Sequence, residues 1–511
     1  MNTSNPFLVK FASSIIAVLS CSDRVLFKGH LPFGNEGRLN SFVDHTLRIP
    51  RKDFIPFLEQ KSEQLVTHAK GLAAQHNAPY HYLQGAHRKE DLVQQIIRDR
   101  RLSTGLVCVL CCQETCRTVK LRYGQGRPRL VFAPRPQRVL YFYFLDAQFG
   151  LLYLRLQTWF PFTFQAYVNG HDWLARQLQQ QGIGFVQHDN AFTQLDDPKR
   201  TQQLADRFPR LGWVKILDRW ARLVNPLLKQ SWLRGQGYYW VIDQAEYSTD
   251  VLFANRQALA DLYPRLLDHA ALNFSAQDIL GFLGRRLHPR FDGEVLTDCK
   301  KGRWPGARIK HRVKNNWLKM YDKFGQILRI ETVINQPREF KVRRCRRRDG
   351  KRRMVWCPMN KGVANFYHYH RVAQAANQRY LTALAVVADP TRAYRQTKRL
   401  SGSKKVGGRC YAGFNPARRS DVRLFEAVLR GDHLLHGFRN ADIRRILYGE
   451  AKVASERRRQ SAAVGRLLKR LHVRGLIAKV PRSRRWRVTN PGQHLLGVVV
   501  RLYHDGLPMA A

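Results

Sequence analysis

The residues of this 511-residue chain that could do chemistry fall into a few groups of acids, one polar strand set and a knot of thiols. Asp243, Glu246 and Asp250 crowd into Val241–Phe253 (VIDQAEYSTDVLF), and Asp292, Glu294 and Asp298 follow further on. Two-metal nucleases are built from such carboxylates brought together in space, with Mg²⁺ or Mn²⁺ clamped on a phosphodiester. The same acids serve equally well as helix caps and surface groups. Cys108, Cys111, Cys112 and Cys116 include a CxxC, which could begin a zinc site. A structural zinc takes four ligands, usually as two separated pairs, and no second CxxC or HxxxH follows at finger spacing. Gly105–Leu110 (GLVCVL) reads instead as a buried strand in which cysteine is a small hydrophobe. The chain has no Walker-type glycine loop and no HExxH.

The polar set sits on a predicted meander. Three runs, Ala307–Val313, Trp317–Lys323 and Ile327–Asn335, are separated by Asn315-Asn316 and Phe324-Gly325, both suited to tight hairpins. Period-two counting puts Ile309, Val313, Leu318, Met320, Leu328, Ile330 and Ile334 on one face. The opposite face carries Arg308, Lys310, Arg312, Lys319, Tyr321, Lys323, Arg329 and Glu331, a basic plate bearing one Tyr and one Glu. Used without any reaction, such a plate holds phosphates on its lysines and arginines and stacks a base on Tyr321.

Around these residues the pattern predicts an α+β, multidomain protein: antiparallel sheets with packed helices. Residues 1–130 read as mainly helical, with helices over Lys52–Ala73 and Lys89–Arg101. The apolar Phe11–Leu19 is expected in a first amphipathic helix running into Asp23–Phe27. Residues 131–299 form an α+β domain, opened by strands at Val139–Leu145, Leu151–Gln157 and Phe162–Asn169. A helix starts near Asp172, a strand covers Gly184–Phe192, and Asp197-Pro198 opens another helix. Residues 300–390 hold the meander, the charged segment Lys341–Arg353 and a helix over Gly362–Ala388. Residues 391–420 are a basic linker, and 421–500 are a final helical module.

Charge is segregated along the chain. From Lys300 to Ala511 there are 51 Lys and Arg against 12 Asp and Glu, a net of +39 out of +50 for the whole protein. A surface that repels itself so strongly is tolerable when a polyanion neutralises it, and each neutralised phosphate releases counterions. No apolar run approaches the roughly 20 residues needed to cross a bilayer. The expected setting is cytoplasmic, with reduced thiols, a nucleic-acid partner (DNA favoured over RNA) and no membrane.

The C-terminal module carries a resemblance. Asp421–Arg430 is a first helix and Ala441–Tyr448, which Asn440 can cap, a second. A third runs from about Ser455 to Val473, with Val464, Leu467, Leu468 and Leu471 on its apolar stripe. Its outward side carries Arg457, Arg458, Arg459, Arg466, Lys469 and Arg470, and a hairpin tipped by Pro481-Arg-Ser-Arg-Arg485 follows. This order, with RGLIAKVPRSRRWRVTNPG, resembles the winged helix-turn-helix family over about 80 residues. The resemblance implies that Arg457, Arg458, Arg459 and Gln460 face bases or phosphates and that Arg482, Arg484 and Arg485 are wing contacts.

A second resemblance is shorter. Leu318-Lys-Met-Tyr-Asp-Lys323 followed by Leu328-Arg-Ile-Glu331 resembles the paired YDK and RxE strands of filamentous-phage-type replication initiators. It implies that Tyr321, Lys323, Arg329 and Glu331 lie near a scissile phosphate, with Tyr321 as nucleophile or Glu331 as metal ligand or general base. Rolling-circle nickases also use a His-hydrophobe-His pair on a strand, and His368-Tyr369-His370 has that spelling. Its surroundings read as helix, where i and i+2 point about 200° apart and cannot share a metal. The expectation is therefore a nucleic-acid-binding protein of mobile-element or phage type, as replication initiator or metal-dependent nuclease. The alternative is a non-catalytic transcriptional regulator or RNA-binding scaffold.

Overall fold

The structure is a computed structural model that describes residues 5–504 apart from 86–87, 125, 234, 288–290, 292, 302–305, 349–350, 388–399, 434 and 452. It is an α+β protein of two compact units, each assembled from separate stretches of chain. One unit takes Leu19–Tyr247 and Pro337–Arg371; the other takes Met1–Val18, Ser248–Gln336 and Val372–Ala511. Among the described residues no helix is long and apolar enough to cross a membrane.

The first unit is organised by a sheet of β1 (Ile15–His30, from Leu19 on), β2 (Tyr80–Leu83), β3 (Gly105–Arg122), β4 (Arg129–Asp146), β5 (Gly150–Gln157) and β6 (Phe164–Asn169). A small hairpin, β7 (Phe185–His188) and β8 (Ala191–Leu195), stands apart from it. The first half of β9 (Tyr239–Phe253) completes the order β9-β1-β6-β5-β4-β3-β2. The pairs from β3 to β6, and β1 with β6, are antiparallel, whereas β2 runs parallel to β3.

Two expectations fail here for one physical reason. Ile15–His30 is a strand, not a first amphipathic helix, and the supposedly helical first 130 residues also contain the 18-residue β3. Leu19–Asp23 of β1 and Leu106–Cys112 of β3 are buried without alternation, so both faces are covered there. Such a run cannot be told from a buried helix by period. The expected helices do form, at Phe54–Gln75 and Lys89–Asp99. β4 passes through Pro134 and Pro136, where a chain break would be read from sequence. That half of β4 pairs with β3 alone, because β5 joins only at Val139, and a strand tolerates proline where one edge is open. The helix expected to start near Asp172 begins at Gly170 and is capped by Asn169, which accepts from His171 N.

In the second unit β10 (Val295–Lys301), β11 (Ala307–Val313), β12 (Asn316–Lys323) and β13 (Ile327–Ile334) form the meander, with the end of β9 beside β13. The β12–β13 connection has Phe324 and Gly325 both at positive φ, 62° and 73°. The β11–β12 turn falls one residue earlier than expected, at Lys314-Asn315. Asn316 is thereby drawn into the strand, where its buried Oδ1 accepts from Asn335 N and Gln336 N. The first unit's last stretch forms a two-stranded ribbon, β14 (Lys341–Arg348) with β15 (Lys351–Pro358).

The C-terminal stretch belongs to the second unit. A short hairpin, β16 (Lys404–Val406) with β17 (Arg409–Tyr411), lies inside the expected linker, whose residues 391–399 fall outside the described ones. Then come α1 (Arg419–Leu429), α2 (Asn440–Tyr448), α3 (Ala454–Val473), the hairpin β18 (Ile477–Lys479) and β19 (Trp486–Val488), and α4 (Asn490–His504). Phe425, Val428, Phe438, Ile443, Val464, Leu468, Leu471 and Leu496 share one core. Asn440 ties α2 to α3 through Ser461 O at 2.9 Å, while the cap itself is made by Asp442 accepting from Arg439 N. Phe438 and Trp486 exchange two backbone hydrogen bonds of 2.8 Å, an isolated bridge that ties the turn before α2 to the hairpin.

Gly437 makes that exchange possible. It sits at φ 65°, and a Cβ there would lie 2.1 Å from the Trp486 carbonyl oxygen. Gly437→Ala combines left-handed strain with a backbone clash and is expected to destabilise the C-terminal module by about 2 kcal/mol or more. Thermal unfolding followed by circular dichroism checks this, with a lower midpoint expected than for the parent chain.

Candidate functional site

The register of β12 with β13 sets Lys319 opposite Glu331 and Tyr321 opposite Arg329. From these positions the Tyr321 hydroxyl donates to Glu331 Oε2 at 2.7 Å, and Lys319 Nζ bonds Oε1 of the same carboxylate. Arg329 reaches the other way, giving two 2.6 Å hydrogen bonds to the carboxylate of Asp250 on β9. Asn377, on the helix Phe366–Leu384, knits the neighbourhood together. It donates to Ile330 O and Thr249 Oγ1 and accepts from Thr332 Oγ1 at 2.6 Å.

This face is not the solvated plate expected from its alternation. Arg329 and Lys323 are 0% exposed, Glu331 2% and Tyr321 5%. Arg329, enclosed with Asp250, is held as half of a buried ion pair and has no surface to offer a phosphate; Lys323 has none either. Lys319 is mostly buried against Glu331. Only the β11 end keeps the expected character. Lys310 lies over the Trp317 ring at 3.8 Å, and Arg312 is exposed with Glu294 3.8 Å away. Burial first, then the charges of Lys319, Arg308 and Arg312, lowers the pKa of the Lys310 ammonium.

What the arrangement can do chemically is narrow. A phenol donating to a carboxylate whose second oxygen carries an ammonium has the layout of a nucleophile beside a proton acceptor, with the lysine fixing the carboxylate. Tyr380 plays no such part, because its hydroxyl is committed to His311 Nε2 at 2.9 Å in the core. Burial pushes that histidine down to about 3, so it is neutral.

The acids of Val241–Phe253 separate. Asp250 holds Arg329, and Asp243 faces Lys361 at 3.3 Å. Glu246 lies in the first unit with Asp23, both buried, with carboxylate oxygens within 4.8 Å of each other. Asn190 Nδ2 contacts both Asp23 oxygens, at 2.8 and 2.7 Å. His171 Nδ1 is 3.3 Å from Oδ1, and its Nε2 is 3.2 Å from Cys21 Sγ. Gln244 donates to Glu246 Oε1 at 2.7 Å. Asp23 and Glu246 have the oxygen chemistry that Mg²⁺ or Mn²⁺ prefers. Asp23 could not be foreseen, because it stands more than 200 residues from Glu246. Of the second acidic group, Glu294 and Asp298 sit beside Arg312 and Lys300, and Asp292 lies outside the described residues.

The remaining motifs resolve structurally. Cys108, Cys112 and Cys116 pack into one core on β3. Burial pushes the thiols of Cys108 and Cys112 up to about 12 and about 11, which keeps them protonated and poor metal ligands. His368 and His370 lie on the helix, with His370 Nε2 3.5 Å from Asp206 and 3.4 Å from the Tyr247 hydroxyl.

On the C-terminal module Arg457, Arg458 and Arg459 are exposed at the start of α3, Arg466 and Lys469 are exposed further along it, and Arg482 and Arg484 are exposed at the hairpin tip. Three expected contacts are otherwise engaged. Arg470 lies over Phe414 at 4.1 Å and donates to Ala412 O and Gly413 O, fastening the β16–β17 segment. Arg485 is half-buried and donates to Gly437 O at 3.1 Å. Gln460 is buried, with its Nε2 on Glu456. Arg439 and Arg487, not singled out in the sequence, are exposed on the same module.

No family model, no curated protein and no solved structure matches this chain.

Two outcomes follow from the buried charges. Arg329→Met removes both bonds to a buried carboxylate and is expected to cost about 3–5 kcal/mol, whereas Arg329→Met with Asp250→Leu costs far less; urea unfolding of the two variants decides. Asp322, on the opposite side of β12 from Tyr321, is pushed up to about 6 by burial. Its folded pKa lies above its unfolded value, so the protonated form is favoured by folding and stability falls as pH rises from about 4 to 6. Asp322→Asn should therefore gain stability on the order of 2 kcal/mol at pH 8 and little at pH 4, measured by unfolding at both pH values.

Proposed function

We propose that this chain is a DNA-binding protein of mobile-element or phage type that cuts a strand as a replication initiator does. Its C-terminal module acts as a winged helix on duplex DNA, and Tyr321 acts as the nucleophile. The observation that carries the reading is the exposed arginine set of α3 and the hairpin tip. Arg457, Arg458 and Arg459 stand side by side at the end of the first turn and the start of the second in a 20-residue helix. Three adjacent guanidiniums repel one another, and a phosphate backbone relieves that repulsion.

The Tyr321–Glu331 contact favours cleavage over binding alone. In the proposed step the phenolic oxygen attacks phosphorus, its proton passes to Glu331, and the bond to one sugar oxygen breaks. That oxygen leaves as a hydroxyl after taking up a proton, and the other fragment stays as a phosphotyrosine ester. Lys319 holds the carboxylate in position. A bound Mg²⁺ or Mn²⁺ would supply Lewis-acid stabilisation of the phosphate charge. Tyr321 is buried, so the reading requires that substrate binding uncovers it.

The test separates binding from chemistry. Alanine at Arg457, Arg458 and Arg459 together should weaken duplex binding and reduce the slope of log affinity against log salt by about 3. Tyr321→Phe should bind DNA as the parent does yet yield no covalent protein–DNA product in Mg²⁺ or Mn²⁺. A parent chain that binds but never forms that adduct would favour the non-catalytic regulator or RNA-binding scaffold instead.

A further inference from the structure

The ribbon β14–β15 is put to no use by the reading above. Between Lys341 and Pro358 it carries nine Lys and Arg against one acid, Asp349. Its root is anchored, since Val342, Cys357, Phe340 and Met359 are buried and Met359 N donates to Phe340 O at 2.8 Å. Beyond the root one face is open. The register pairs Arg343 with Trp356, Cys345 with Met354 and Arg347 with Arg352, and all six residues are exposed. Trp356 is 66% exposed and Met354 55%.

Two features of this face are costly in a free protein. An indole left in water forfeits a large hydrophobic gain, and Arg347 directly opposite Arg352 is a destabilising like-charge pair. One class of partner removes both costs. We infer that this ribbon is a second nucleic-acid site, in which an unpaired base stacks on Trp356 while Arg343, Arg347 and Arg352 hold the flanking phosphates. Single-stranded nucleic acid offers a flat π-face beside each phosphate, the combination this face complements. Within the ribbon an alternate residue lies about 7 Å along the strand, so charge and ring can address neighbouring parts of one strand. A duplex keeps its bases stacked away from such a ring. The inference is independent of the winged-helix reading, because it rests on the other compact unit.

The test uses the full chain with a dT oligonucleotide, a U oligonucleotide and a duplex, by fluorescence anisotropy. Trp356→Ala should weaken single-strand binding roughly 5- to 100-fold and leave duplex affinity unchanged. Trp356→Phe should recover much of the loss. Gln at Arg343, Arg347 and Arg352 together should flatten the single-strand salt slope by about 2. Because Trp356 is exposed, unchanged thermal unfolding of the alanine variant confirms that folding is intact. Alanine at Arg457, Arg458 and Arg459 should leave single-strand binding at the ribbon in place, which separates the failure of one reading from failure of the other. Single-strand affinity equal in Trp356→Ala and the parent would overturn the inference. So would a polyglutamate competitor displacing the strand as readily from Trp356→Ala as from the parent, which marks a surface that senses charge alone.

Discussion

With 88 Lys and Arg and only 38 Asp and Glu, this chain cannot neutralise itself, and where its few carboxylates go decides what every cation can do. Burying a charge without a partner is costly, so several of the acids that reach the interior are committed to cations there. Asp250 takes Arg329, Glu331 takes Lys319 and the Tyr321 hydroxyl, and Glu114 takes Arg155, Lys89 and the Tyr141 hydroxyl. Burial alone would raise Glu114, yet Tyr141, Arg155 and Lys89 together bring it down to about 2. What remains on the surface is an excess of arginine with little acid to meet it.

That division assigns different work to the two kinds of cation. The enclosed ones position side chains: Lys319 fixes Glu331 beside Tyr321, and Arg470 fastens a neighbouring loop through its carbonyls. The exposed ones repel each other until a polyanion arrives. Each compact unit bears such a feature, α3 with its hairpin in one and the β14–β15 ribbon in the other. The two differ in chemistry, since the ribbon adds an open indole to its cations.

Local features were legible in the sequence and long-range ones were not. The three meander strands and the first three helices of the C-terminal module come out within a few residues, because turns such as Phe324-Gly325 and the stripe Val464, Leu468, Leu471 are written in adjacent residues; the last helix, α4, was not foreseen. The fate of the meander's polar face was not written there. Alternation marks a face as polar but cannot tell solvent from a buried ion pair, and Asp250 lies 79 residues from the Arg329 it neutralises. Asn377 and Asp23 were invisible for the same reason. β1 was misread as helix because a strand covered on both faces loses its period. The ribbon was legible only as the charged segment Lys341–Arg353, and the pairing of Arg343 with Trp356 needed the register.

The most direct measurement of the central claim is the affinity of the whole chain for nucleic acid as salt is raised from about 50 to 200 mM, the range over which counterion release is steep. If the exposed arginines exist to hold phosphates, binding is tight at the low end and falls by a factor of about 10³ or more across the range. Material that ignores both duplex and single-stranded oligonucleotides at the low end, or binds them with no dependence on salt, contradicts the account.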